Sequence, residues 1–296
     1  MAVLTELRDR YPVLDGWLMQ VQGLLDPRRV LLAPDDEVLH LAWCSQDSWE
    51  MAKVELPPDL CRSGQPLNRD ALGETIADLL LERGMSPPQV EVELLLPLAS
   101  CQWRLLEGAA SVALSCGTEL RALQPDLGWS LALPDSYLDV LPQARGDSAL
   151  VVGTERLLLQ AWISTLEDAD LRLCRVEWLL SAAWRGLCAA HAGADEPLIW
   201  LVEHAGRWRL VLSRNGCPEV DLNLQASDYP ALREEVLELV EAWRPEGLPG
   251  WWVTAGPQWQ GRWAAEHDPR QGPLRSEAEM SVLELALTAS RGNRDA

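Results

Sequence analysis

The sequence has no phenylalanine and three tyrosines, so its hydrophobic core must be built from aliphatic side chains and tryptophan. Fifteen tryptophans are present, and an indole fills the same buried volume while its N–H seeks a partner. Positive charge is equally scarce: 25 Lys and Arg stand against 45 Asp and Glu, for a formal net charge of −20. Nucleic acid and anionic bilayers are polyanions that such a surface repels, so neither is an expected partner. The same acid excess favours solubility and permits steering toward a basic partner. A basic leader followed by an apolar stretch and a small-residue cleavage site is missing, so no secretory signal is expected. Apolar runs such as residues 94–99 stop far short of the roughly 20 residues that cross a bilayer, so no span is expected.

Metal and catalytic signatures are missing as well. The seven cysteines are scattered without a C-x-x-C pair, which fits small reduced core residues rather than a disulfide framework. His40 lies near Cys44 and His191 near Cys188, but zinc requires a second pair that the spacing does not supply, so no metal site is expected. There is no Gly-x-Ser-x-Gly elbow, no His-Glu-x-x-His pair and no Walker loop. His40, His191, His204 and His267 are far apart in the chain, and no catalytic residue is assigned.

What is present is a chain of 296 residues, 48% hydrophobic and 24% charged, which suffices for two domains or one large α/β unit. Over residues 5–25, Val13, Leu14, Trp17, Leu18, Val21, Leu24 and Leu25 recur at helical spacing, predicting an amphipathic helix in an N-terminal extension, residues 1–28. Three short strands are expected over 30–33, 38–43 and 51–56, with Pro34, Asp35 and Asp36 turning between the first two. A helix follows with Leu72, Ile76, Leu79 and Leu80 on one face and Gly84 as its stop, then a strand over 90–96. Residues 149–152 read as a strand, Thr154 as the cap of a helix bearing Leu158, Trp162 and Leu166, and 177–187 as a further helix. The three-strand pattern then recurs over 198–202, 208–212 and 220–224. Its helix is capped by Asp228 and carries Leu232, Val236, Val240 and Trp243; a strand at 251–254 and an acidic helix over 277–289 follow.

Two halves, each of three hairpin-linked strands and a helix, predict a duplicated α/β architecture with a cleft between lobes. The expected division is a first lobe with an inserted subdomain over 29–190 and a second lobe over 191–296. This order of elements resembles the actin-like family, built on a duplicated ribonuclease H-like fold, and within it the type IV pilus assembly proteins of the PilM kind. The resemblance covers residues 29–289. Its better segments are residues 90–104, with Leu96 and Pro97 where the family often has a Leu-Pro pair, and residues 148–176. The GspL proteins of secretion systems share this fold and normally continue into a membrane span, which this chain lacks.

The resemblance implies an ATP site built from two Asp-x-Gly hairpins and an adenosine-side Gly-Gly turn. At the first hairpin Ala33 stands where the family has aspartate, Pro34 follows, and Asp35, Asp36 and Glu37 come next. Proline removes an N–H donor, and uncompensated acids oppose phosphate by about 4 kcal/mol per pair at 4 Å and an effective dielectric of about 20. At the second, Val202 replaces aspartate and His204 glycine; a one-residue shift would put Glu203 in the acidic position. The adenosine-side turn is represented by Ala255 and Gly256. ATP hydrolysis is therefore not expected, and no cofactor is assigned. The resemblance implies instead a cytoplasmic scaffold, peripheral to the inner membrane, that couples the assembly machinery to the short cytoplasmic N-terminus of a PilN-like membrane protein. The alternative is an active actin-like ATPase or small-molecule kinase, which would use ATP and Mg.

Overall fold

The computed structural model describes residues 27–35, 37–45, 48–62, 64–107, 135–142, 148–190, 196–204, 206–226, 228–243, 247–275 and 281–292. The helix expected over 5–25 lies outside them, as does Asp36. Strands β1 (Arg28–Pro34), β2 (Val38–Ser45) and β3 (Ser48–Glu55) open the described chain. The short strands β4 (Cys61–Arg62) and β5 (Gln65–Pro66), helix α1 (Arg69–Glu82) and strand β6 (Val90–Leu96) follow. Next come β7 (Cys101–Glu107), β8 (Ser136–Pro142), β9 (Ser148–Glu155), α2 (Arg156–Asp168), β10 (Arg172–Trp178) and α3 (Leu179–Ala190). The rest comprises β11 (Leu198–His204), β12 (Arg207–Arg214), β13 (Cys217–Leu224), α4 (Tyr229–Trp243), β14 (Gly250–Thr254), α5 (Pro257–Glu266) and α6 (Val282–Gly292). The chain divides into two compact units, Met1–Pro97 with Leu157–Glu177 and Leu98–Arg156 with Trp178–Ala296.

The first unit is organised by a sheet of order β10-β6-β1-β2-β3. Its hairpins are antiparallel, whereas β1 and β6 run parallel with Leu32 opposite Leu94. Parallel neighbours need a crossover, which α1 supplies. Strand β1 carries an apolar run because both faces are covered: Val30, Leu31 and Leu32 are buried, as are Val92 and Leu94 of β6, which alternate with Glu91 and Glu93. Helix α1 begins where the Asn68 side chain accepts the Ala71 N–H at 3.3 Å. It buries Leu72, Ile76 and Leu80 on the expected face. Helix α2 buries Trp162, whose indole N–H donates to the Gly64 carbonyl at 2.7 Å.

Two local expectations are corrected here. Thr154 is a strand residue of β9 whose hydroxyl donates to the Ser100 carbonyl at 2.8 Å, so it does not cap the following helix. Glu177 belongs to edge strand β10, and the helix expected from that point starts at Leu179. Strand β10 was hidden by its polarity: Arg172 and Arg175 reach Glu91 and Glu93 of β6 at 3.1 and 3.3 Å. Cross-strand ion pairs, rather than alternating apolar residues, mark that pairing.

The second unit contains a sheet of order β13-β12-β11-β14 and a three-stranded sheet of order β7-β9-β8. Two antiparallel hairpins joined through a helix to a parallel fourth strand repeat the order β3-β2-β1-β6, so the duplication read from the sequence is present in the topology. Asp228 caps α4 as expected, accepting the Ala231 N–H at 3.0 Å. One sheet face packs Ile199, Leu201, Leu210, Leu212, Trp251 and Val253 against Leu232, Val236 and Trp263. Trp200 lies in the same strand and meets Trp184 of α3, ring centres 5.8 Å apart. Helices α3 and α6 touch so closely that a Cβ on Gly186 would sit 1.8 Å from the Leu285 carbonyl oxygen.

Candidate functional site

At the first hairpin, Ala33 is buried and pairs with His40, while the equally buried Pro34 pairs with Leu39. The Asp35 N–H donates to the Val38 carbonyl at 2.7 Å. Glu37 is exposed, and its carbonyl accepts the Leu56 N–H at 2.8 Å. A phosphate cradle consists of backbone N–H groups pointing into a concavity. Here the proline has none and the Asp35 amide is already used within the turn.

The second hairpin is closed in a different way. Val202 is fully buried opposite Arg209; Glu203 pairs with Trp208 and His204 with Arg207. Gly206 adopts φ 72°, the conformation the tight turn needs. Its N–H is held by the Glu203 carboxylate, Oε1 accepting at 2.9 Å. The acid thus occupies the Gly206 amide within the turn. The structure brings the adenosine-side turn to this same sheet end, with Val202 opposite Thr254. Ala255 is half-buried there. Gly256 opens α5 at φ −58° with open space beyond its α-carbon, and Pro257 follows in the first turn. Neither conformation nor close approach demands a glycine at this position, and the helix start has lost another N–H. Among the described residues of these loops, Pro34 and Pro257 have no N–H, and the Asp35 and Gly206 amides are engaged within their own turns. Among the described residues, no group of three His, Cys, Asp or Glu side chains converges on a point.

Beside Val202 lies a buried polar cluster that the sequence reading did not identify. The Arg209 guanidinium is bidentate to Asp221, with Nη2 donating to Oδ2 at 2.6 Å. Nη1 donates to the Leu98 carbonyl at 2.6 Å, and the guanidinium lies 4.7 Å from the Trp178 ring centre. Arginine is suited to all three tasks, since its planar fork matches a carboxylate while its face stacks on an aromatic ring. The pair is diagonal across β12 and β13, where Arg209 is registered opposite Asn223 and Asp221 opposite Val211. Alternation could have put both side chains on one face, but only the register reveals that they meet. Nearby, burial pushes the Cys101 thiol up to about 12, despite the Thr154 hydrogen bond and the Arg209 charge. Such a thiol remains protonated and unreactive.

The described residues of this unit also form concavities, two of which have distinct linings. A pocket of about 30 Å³ is bordered by Trp184, Leu187, Cys188 and Trp252. Burial pushes Cys188 up to about 11, leaving an inert thiol. A larger groove of about 470 Å³ follows α4 and α5, with Tyr229, Leu237, Glu238, Arg262 and Glu266 among its walls. No helix among the described residues is long and apolar enough to cross a membrane.

No family model matches the chain, and no curated protein matches it by sequence. Solved structures do resemble it. The chain is similar to the PilM-PilN type IV pilus biogenesis complex, with a TM-score of 0.62 and 18% identity over 90% of this chain and 99% of that one. The cytoplasmic domain of EpsL, an inner membrane component of the type II secretion system of Vibrio cholerae, matches with a TM-score of 0.53 and 18% identity, covering 90% and 94% of the two chains. A Bacteroides thetaiotaomicron protein with an actin-like ATPase fold and unknown function matches at 0.59 and 7% identity, over 89% and 96%. These likenesses establish the fold alone, a duplicated, ribonuclease H-like α/β fold of actin-like type.

Proposed function

We propose that this chain is a non-catalytic scaffold of the PilM kind, working at the cytoplasmic side of the inner membrane in type IV pilus assembly. Its partner is the cytoplasmic N-terminus of a PilN-like membrane protein, through which it is held peripherally at the membrane and tied to the assembly machinery. The observation that carries the reading is the combination of a fold likeness spanning 99% of the matched chain of the PilM-PilN complex with hairpins in which Pro34 offers no N–H and the Asp35 and Gly206 amides are already taken. An actin-like fold without phosphate donors retains its contact surfaces, and function resides in sites rather than folds. The net charge of −20 suits a segment rich in Lys and Arg, as the cytoplasmic flanks of membrane spans usually are. The EpsL likeness supports a second reading, the equivalent scaffold of a secretion system.

Two titrations test the proposal together. The N-terminal peptide of a PilN-like protein from the same cell should bind saturably by calorimetry. Millimolar Mg-ATP should leave the melting temperature unchanged, whereas a ligand at about 100 times its Kd would add about 2.7 kcal/mol. Saturable Mg-ATP binding with phosphate release would instead establish the ATPase or kinase alternative.

A further inference from the structure

The groove along α4 and α5 has features that the pilus reading does not use. Tyr229, Pro230, Arg233, Glu234, Leu237, Glu238 and Glu241 all come from one stripe of α4, and Arg262 and Glu266 from α5 complete the walls. The positive charges are already engaged. Arg233 and Arg262 approach the Glu266 carboxylate at 3.9 and 3.6 Å, and Arg233 also donates to the Glu266 carbonyl at 2.8 Å. Glu234, Glu238 and Glu241 stand exposed along the helix, and no described cation pairs with them. The first and last are about 10 Å apart by helical rise.

The floor of the groove supplies an independent sign of a ligand. Tyr229 is 3% exposed, and its hydroxyl is buried with no hydrogen-bond partner. Its ring is covered by the Arg262 guanidinium at 4.0 Å and stacks on Trp259 with ring centres 5.9 Å apart. Burial pushes this phenol above its ordinary value, with Glu266 adding to the effect and Arg233 and Arg262 opposing it. The hydroxyl therefore keeps its proton and feels the charges of Glu266, Arg233 and Arg262, which line the groove. A buried hydroxyl without a partner carries a desolvation penalty that a bound donor or acceptor would remove.

We propose that this groove docks a short protein segment carrying two Lys or Arg residues about 10 Å apart, whose cations pair with Glu234, Glu238 and Glu241 while its backbone satisfies the Tyr229 hydroxyl. A peptide in the polyproline II conformation has three residues per turn, so residues i and i+3 share a face about 9 Å apart, which matches the carboxylate row. Leu237 and Pro230 offer apolar contact to a side chain between the cations. An anionic membrane is repelled by the same charges.

The test is fluorescence anisotropy with a fluorescein-labelled Gly/Ser peptide bearing a central Arg-Leu-Ser-Arg stretch, and with its Gln-Leu-Ser-Gln counterpart. The arginine peptide should bind at least about fivefold more tightly. The triple variant Glu234→Gln, Glu238→Gln, Glu241→Gln should weaken it about fivefold or more, and Tyr229→Phe about twofold to tenfold. A charge-matched control, Glu74→Gln, Asp78→Asn, Glu82→Gln on the exposed acidic face of α1, should leave binding unchanged. Equal binding of the two peptides, no effect of the α4 triple variant, no effect of Tyr229→Phe, or an equal loss in the α1 control would each overturn the proposal. The outcome is independent of whether a PilN-like peptide binds, because that titration uses the unsubstituted chain and a different ligand.

Discussion

Arg209 and Asp221 show how much can depend on a single side chain. Their side chains are 6% and 7% exposed, so removing one partner strands the other as a buried charge, at a cost of about 3–5 kcal/mol. We expect Arg209→Met to lower stability by that amount in urea unfolding. The double variant Arg209→Met, Asp221→Leu should recover most of the loss, since an apolar pair of similar volume avoids the desolvation penalty. Cys101 gives a second expectation, in pH. Its folded value is raised from 9.0 to about 12, so its contribution to stability is complete below pH 9. As pH rises toward 12 the unfolded chain releases a proton that the folded chain retains, and stability falls by about 1.4 kcal/mol per pH unit from this group. Urea midpoints measured from pH 8 upward should decline above 9, and Cys101→Ala should make that decline shallower.

At the scale of elements, what could be read beforehand depended on what each strand or helix buries. Strands β1, β2, β6, β11, β12 and β14 were visible because apolar runs bounded by turn residues leave few alternatives. Helices α1 and α4 showed a buried stripe and a capping Asn68 or Asp228. Strand β10 was not visible, because an edge strand with arginines three residues apart, at 172 and 175, resembles a solvated helix. Helix α5 was also missed: its apolar anchors reduce to Trp259 and Trp263, and its buried Gln260 donates to the Val253 carbonyl at 3.1 Å. That Ala33, Pro34 and Val202 depart from the family's hairpin pattern is what the resemblance implies. The capture of the Gly206 amide by Glu203 required coordinates. Packing of α3 on α6 supplies the prediction for this scale. A methyl on Gly186 would collide with backbone rather than with a movable side chain, so Gly186→Ala should cost about 3 kcal/mol and lower the melting temperature.

For the molecule as a whole, the decisive quantity is a net charge of −20. Encounter with a cationic partner is accelerated by that field, and salt removes the acceleration. Stopped-flow association with the arginine peptide should slow about tenfold or more between about 50 and about 500 mM salt, with a smaller change in dissociation rate.

The division of the chain into interleaved units also governs its biosynthesis. Strand β6 gains its outer neighbour only when β10 has been made, after β7, β8, β9 and α2 have emerged. During translation, the nascent five-stranded sheet must therefore wait with one flank uncovered while an entire further subdomain leaves the ribosome. Ribosome-bound chains halted before residue 172 should expose that flank to chaperones, and chains halted well beyond residue 178 should not.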